Sequence, residues 1–180
     1  HELAQIITND RSFYELPRKF NIAYDGGGLI GTVEDTNDIG VRAVKVGDEI
    51  FFRSGIGGAT GHKAFARDLG VLVRPEELNK VIVALVRVFI ANGSRGDRKK
   101  ARLKHLLETW TLDRYLAETE KLLGHQLQRT AEGTSNIEHQ VPVRPGPSSI
   151  ERSHAHIGVY PQKQPGLNYI GVAMPVGQIA

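Results

Sequence analysis

The sequence predicts an α/β (α+β) fold in which a mixed sheet is covered by helices. Three observations carry that expectation. Apolar and polar residues alternate over 18–24, two β-rich runs flank Gly47-Asp48, and a long apolar-striped segment follows Pro75-Glu76-Glu77. A period of two marks a half-buried strand, and recurrence every three or four residues marks a buried helix face. Apolar residues make up 40% of the 180, enough for a proper core.

Over 18–24, Phe20, Ile22 and Tyr24 fall on one face and Lys19, Asn21 and Ala23 on the other. Pro17 stands at the start, where a missing N–H does least harm, and Asp25-Gly-Gly-Gly28 ends the run. Residues 39–46 and 49–53 form a hairpin about Gly47-Asp48. Its second strand leads into Gly55-Ile-Gly-Gly-Ala-Thr-Gly61, and residues 62–69 read as a helix stopped by Gly70. Pro75, Glu76 and Glu77 suit the first turn of the longest helix, where N–H groups lack partners and the dipole favours acids. Leu78, Ile82, Leu85 and Phe89 form its stripe, widened by Val81, Ala84 and Val88, and Asn92-Gly93 ends it. A basic run at 95–104 leads to a third helix reaching about Trp110. Thr111 or Asp113 starts a fourth, which ends at Gly124. Residues 1–126 therefore read as one α/β unit. Residues 127–153, rich in Gly, Pro, Ser and Thr, read as a linker. Residues 154–180 begin a further β-rich segment with no helix to cover its strands.

The chain has no cysteine, which removes disulfides, thiolate zinc sites, Cys nucleophiles and iron–sulfur ligation from these residues. That fits a reducing compartment. No run approaches the roughly 20 uncharged apolar residues of a membrane span. The best, 78–90, is short and carries Lys80 and Arg87. With no secretory signal visible, the expectation is a soluble cytoplasmic protein without a membrane partner. His154 and His156 alternate about Ala155 but have no third ligand at useful spacing, so no metal site is expected here. His62, His105, His125 and His139 read as surface or capping residues.

The net charge is only +3, yet six cations fall within ten residues: Arg95, Arg98, Lys99, Lys100, Arg102 and Lys104. Such neighbours repel one another, and an anionic partner relieves the repulsion. A solvated face, a nucleic-acid site and a polycarboxylate or phosphate site are the open readings. No aromatic residue interleaves with the cations, which weakens a single-strand stacking site. Gly55, Gly57 and Gly58 either build a structural turn or let the backbone approach a flat or charged ligand. The stretch is neither a P-loop nor a GxGxxG. Lys19 and Asn21 share a strand face that is either simply exposed or an anion-binding pair, because an unpaired buried lysine is too costly.

Four segments together resemble the nitrite/sulfite reductase haemoprotein family, in order and approximate spacing over residues 16–180. They are Leu16-Pro-Arg-Lys-Phe-Asn21, Gly55-Ile-Gly-Gly58, Asn92-Gly-Ser-Arg95 leading through Asp97-Arg-Lys-Lys-Ala-Arg-Leu-Lys104, and Pro161-Gln-Lys-Gln-Pro-Gly-Leu-Asn-Tyr-Ile-Gly171. The resemblance implies a duplicated architecture in which ferredoxin-like halves alternate with sirohaem-binding α/β halves. Residues 1–126 would be the first sirohaem-binding half and 154–180 the start of the second ferredoxin-like half. It implies six-electron reduction of nitrite to ammonia or sulfite to sulfide, using sirohaem and a [4Fe–4S] cluster. Ferredoxin or a similar electron donor and the rest of the reductase polypeptide are the implied partners, and nucleic acid is not. The carboxylates of sirohaem give the basic run a purpose. Arg95, Arg98, Lys99, Arg102 and Lys104 are expected to hold them by charge-assisted hydrogen bonds, with Arg18, Gly55, Gly57 and Gly58 completing the cofactor contacts. Lys19 matches the family's active-site lysine, which binds the oxyanion and supplies protons. Asn21 stands where sulfite reductases often have a second lysine and nitrite reductases tend to have asparagine. Nitrite carries one charge and sulfite more, so one fewer cation favours nitrite. The cluster's cysteines have no counterpart here, so its ligands are expected outside this chain, which alone is expected to be incomplete and inactive. A non-catalytic tetrapyrrole-binding homologue and a basic nucleic-acid-binding module are the competing functions.

Overall fold

Gly47 and Asp48 reverse the chain, with Gly47 at φ +61°, a conformation glycine adopts without a Cβ penalty. Around this turn lies a computed structural model that describes residues 1–16, 19–27, 31–94, 96–130, 134–136, 158–162 and 164–171. Chain contacts divide it into one unit at His1–His139 and another at Gln140–Ala180. The first unit holds strands β1 (Ile22–Asp25), β2 (Ile39–Val46), β3 (Glu49–Ile56), β4 (Arg67–Asp68), β5 (Val71–Leu72), β6 (Gln128–Arg129) and β7 (Thr134–Asn136). Its helices are α1 (Glu2–Asn9), α2 (Leu78–Asn92), α3 (Leu103–Leu106) and α4 (Leu112–Leu123).

The hairpin β2–β3 is antiparallel along its whole length, from Val46↔Glu49 to Ile39↔Ile56. Since β3 fills one edge of β2, the other edge is shared: β1 pairs parallel with residues 39–42 and β7 antiparallel with residues 44–46. β4 extends the β3 side at Gly55 and Ile56. β5 and β6 form a separate ladder, tied to β3 through the Phe52↔Val73 bridge.

The period of two along β2 and β3 separates two apolar clusters. Ile39, Val41 and Ile56 enter the main core, which α2 completes with Leu78, Val81, Ile82, Leu85, Val86, Val88 and Phe89. Val44, Phe51 and Leu72 make a smaller cluster. α4 closes over α2 with Tyr115, whose buried hydroxyl donates to the Leu85 carbonyl oxygen at 2.6 Å. Burial pushes this phenol's pKa up. Arg42 and Arg53 are cross-strand neighbours, an arrangement that costs energy unless neutralised. Glu34 pairs with Arg42 at 2.5 Å, and Asp68 pairs with Arg53.

The mixed sheet and its helical cover agree with the sequence-based expectation. Every residue of the predicted α2 stripe is buried. α4 begins after Thr111, whose Oγ1 accepts the Arg114 N–H at 3.2 Å, and ends at Gly124, with φ +79°. β3 runs three residues beyond the expected end, so Gly55 is a strand residue.

Residues 62–69 are not a helix. Thr60–His62 makes one tight turn, Lys63 is left-handed at φ +55°, and Ala59 and Ala64 exchange backbone hydrogen bonds of 2.7 and 3.2 Å. A helix there would have had no apolar stripe to bury: Phe65 is 64% exposed, while Arg67 and Asp68 gain ladder partners on β3. The third helix contracts to α3, because Asp97 caps a separate turn at Arg98–Lys100 and Arg102 is extended. The segment expected as a linker at 127–153 begins inside the fold. Leu127 is buried, β6 pairs with β5, and β7 pairs with β2. The turn Arg11–Glu15 and α1 occupy a stretch to which the sequence assigned no element. Leu3, Ile6 and Ile7 pack against the main core, and Asn79 Nδ2 donates to Glu2 Oε2 at 2.8 Å.

In the second unit the described residues form one hairpin, β8 (Gly158–Pro161) with β9 (Asn168–Gly171), with Val159 opposite Ile170. The rest of the β-rich segment expected at 154–180 lies outside the described residues.

Candidate functional site

The approach to β1 is anchored by one ring. Phe20 stacks on Phe89 of α2 with centroids 5.3 Å apart and planes 18° from parallel. Alternation along an extended chain then turns Lys19 and Asn21 away from the core, and both are exposed. The Asn21 backbone is held on both sides: its N–H donates to Asp38 Oδ2 at 2.9 Å, and its carbonyl oxygen accepts the Ile39 N–H at 3.1 Å. Among the described residues neither the Lys19 ammonium nor the Asn21 amide side chain has a partner. Arg18 lies outside the described residues.

Asp38, which the sequence reading did not single out, is the junction of the site. It is fully buried. Arg102 forks onto it, Nε to Oδ1 at 2.9 Å and Nη2 to Oδ2 at 2.7 Å. Its backbone carbonyl accepts the Gly57 N–H at 2.8 Å. One residue thus joins the Lys19–Asn21 segment, the glycine turn and the basic run. A buried carboxylate is tolerated only when paired and hydrogen-bonded, and this one is both. A signal for it existed: an acid directly before the apolar run of β2 needs a cation if it is buried with that run.

The basic run is not one helix face. Arg102 is only 14% exposed at its side chain and is spent on Asp38. Its backbone N–H meets His105 Nδ1 at 3.3 Å, so His105 caps α3 as the sequence suggested. Lys99 and Lys100 are exposed and Lys104 is half-buried, with no ion pair among the described residues. Arg95 lies outside the described residues, and of Arg98 only the backbone, in the turn Arg98–Lys100, is described.

The glycines answer to the protein's own packing. Gly57 has φ +90°, and a Cβ there would meet Leu107 Cδ1 at 2.6 Å and lie 3.8 Å from the Lys104 Cα. A Cβ on Gly58 would sit 2.4 Å from the Asp35 carbonyl oxygen and 2.5 Å from that of Asn37. At Gly55 the neighbour is Ala66 Cβ at 3.2 Å. Close approach of this chain to itself excludes a Cβ at Gly57 and Gly58 and crowds one at Gly55. No cluster of three or more His, Asp or Glu suited to a metal ion occurs among the described residues. None of the described helices is long and apolar enough to cross a membrane.

Residues 1–127 match the family described as the nitrite and sulphite reductase 4Fe-4S domain. The chain is 34% identical to ferredoxin–nitrite reductase of Leptolyngbya laminosa, over 99% of this chain and 34% of that protein. It is 29% identical to sulfite reductase [ferredoxin] 2 of Mycolicibacterium paratuberculosis, over 99% of this chain and 30% of that protein. The solved structure of the Mycobacterium tuberculosis NirA protein is similar with a TM-score of 0.69 and 25% identity, over 99% of this chain and 31% of that one. The chain therefore spans about a third of the length of the curated relatives it matches. Matched over residues 1–127, well over half its length, the chain belongs to the nitrite and sulphite reductase 4Fe-4S domain family.

Proposed function

We propose that this chain is the sirohaem-binding half-domain, with the start of a second ferredoxin-like half, of a cytoplasmic ferredoxin-dependent reductase. The reaction is six-electron reduction of nitrite to ammonia or sulfite to sulfide, with nitrite favoured. The observation that carries the reading is the exposed Lys19, without an ion-pair partner among the described residues, beside Asn21 on a backbone locked to Asp38 and anchored by Phe20.

The donor set suits the carboxylates of sirohaem. Lys99 and Lys104 carry charges with no ion-pair partner among the described residues, and the Lys104 backbone lies against the Gly57 turn. A [4Fe–4S] cluster does not fit these residues, because the chain has no cysteine to supply a thiolate. Its ligands come from the rest of the polypeptide, and this chain alone does not turn over. When bound, sirohaem would pass electrons from the ferredoxin-type donor to the anion. Lys19 attracts the oxyanion and donates a proton towards a departing oxygen. Asn21 adds a hydrogen-bond donor without a second charge, which suits singly charged nitrite better than sulfite.

Nitrite and sulfite turnover by the complete protein, compared with Asn21→Lys, tests this. The substitution is expected to shift the ratio of kcat/KM values towards sulfite by about tenfold, equivalent to roughly 1.4 kcal/mol of differential binding. An unchanged ratio removes the substrate argument. A complete protein inactive on both anions removes the reductase reading.

A further inference from the structure

We propose that Asp38 is the positioning residue of the anion site and that Arg102 is its counter-ion, not a cofactor ligand. The inference rests on the reading of Lys19 and Asn21 as the oxyanion-handling pair. A carboxylate removed from water needs its lone pairs filled. Those of Asp38 are filled from distant segments: Asn21 lies 17 residues before it and Arg102 lies 64 residues after it. Its own backbone carbonyl takes the Gly57 N–H as well. The placement of Lys19 and Asn21 relative to the glycine turn and the basic run is therefore set at one residue.

Lys19 and Asn21 have exposed side chains that nothing else in the described residues orients. Their polar groups are placed only as well as their backbone is placed, and Phe20, the Asp38 carboxylate and the Ile39 N–H hold it. Arg102 has its charge neutralised and its fork occupied before any ligand arrives. Lysine cannot reproduce that fork, since it lacks the planar pair of donors. Among the described residues of the basic run, the cations left for an anionic ligand are Lys99, Lys100 and Lys104.

The test uses the complete sirohaem-loaded protein. Asp38→Asn keeps the side-chain shape but sets an amide NH2 against the donors of Asn21 and Arg102. Nitrite is titrated into the oxidised protein and followed by haem absorbance, and amide hydrogen exchange is read over residues 19–22 and 56–58. Expected are normal sirohaem content, nitrite affinity weaker by about tenfold or more, and lost protection at both segments with α2 unchanged. Nitrite affinity equal to the parent's in a folded, loaded Asp38→Asn protein overturns the positioning role. If that variant does not fold, the parent decides. Slow exchange at Asn21 and Gly57, matching β2, supports the proposal, and exchange as fast as at Thr60 and Gly61 overturns it. Arg102→Lys is expected to retain sirohaem and lose protection at Asn21. Loss of sirohaem with that protection intact overturns the counter-ion assignment. A complete protein that takes up no sirohaem and binds no nitrite removes the reductase reading separately, because amide protection at Asn21 and Gly57 still decides the role of Asp38.

Discussion

At the scale of single residues, Asp38 and Arg102 form the costliest pair to break. Removing one partner of a buried ion pair strands the other charge in a low-dielectric interior, which typically costs about 3–5 kcal/mol. Arg102→Ala should destabilise the protein by roughly that amount in urea unfolding, whereas Lys99→Ala, at an exposed cation with no ion-pair partner among the described residues, should stay within about 0.5 kcal/mol. Equal costs would show that Arg102 is held no more firmly than a surface lysine. The sequence made Lys19 and Asn21 legible, because a period of two assigns faces without knowledge of any partner. It left Asp38 illegible, because its value depends on an arginine 64 residues away. It also grouped Arg102 with five other cations, since composition cannot distinguish a buried guanidinium from a solvated one.

At the scale of elements, α4 and β6 are tied through Glu120. Its carboxylate accepts from Arg129 Nη1 at 2.5 Å and from the Leu127 N–H at 2.8 Å. The hydrogen bonds from Arg129 hold its pKa below the usual glutamate range, against the opposing effect of burial. A carboxylate whose pKa is lower folded than unfolded contributes stability above its unfolded value. That contribution fades as pH falls through the folded value. The stability gap between the parent and Glu120→Gln should therefore be present at neutral pH and shrink on acidification below the ordinary glutamate range. Denaturant unfolding across that interval measures it, and a gap independent of pH would rule out this linkage. Of the helices, α2 and α4 were legible because stripe, cap and terminal glycine are all local signals. Residues 62–69 misled because a stretch so short offers periodicity to helix and turn alike. The ladder partners of β4 on β3 decided the outcome.

At the scale of the whole molecule, the chain offers cations and shape but no thiolate. Anaerobic reconstitution of this chain with iron and sulfide should leave bound iron and labile sulfide at background, since no cysteine is present. Stoichiometric iron with equal sulfide would contradict that. The sheet explains how separate segments become one site. β1 lies parallel to β2 with Ile22 opposite Ile39, which brings Asn21 beside Asp38. The antiparallel return on β3 brings Gly57 to the same place.

The sequence by itself determined the α/β character, the hairpin, the buried stripe of α2, the shared face of Lys19 and Asn21, and the absence of any cysteine to ligate a cluster. These follow from local periodicity, turn chemistry and residue inventory. Only the tertiary structure decided that Asp38 joins three distant segments, that Arg102 forks onto it, that a Cβ at Gly57 or Gly58 would clash with the chain's own packing, and that β6 and β7 belong to the first unit. Each of those depends on which groups meet after folding, where desolvation makes an unpaired charge or a misplaced Cβ costly.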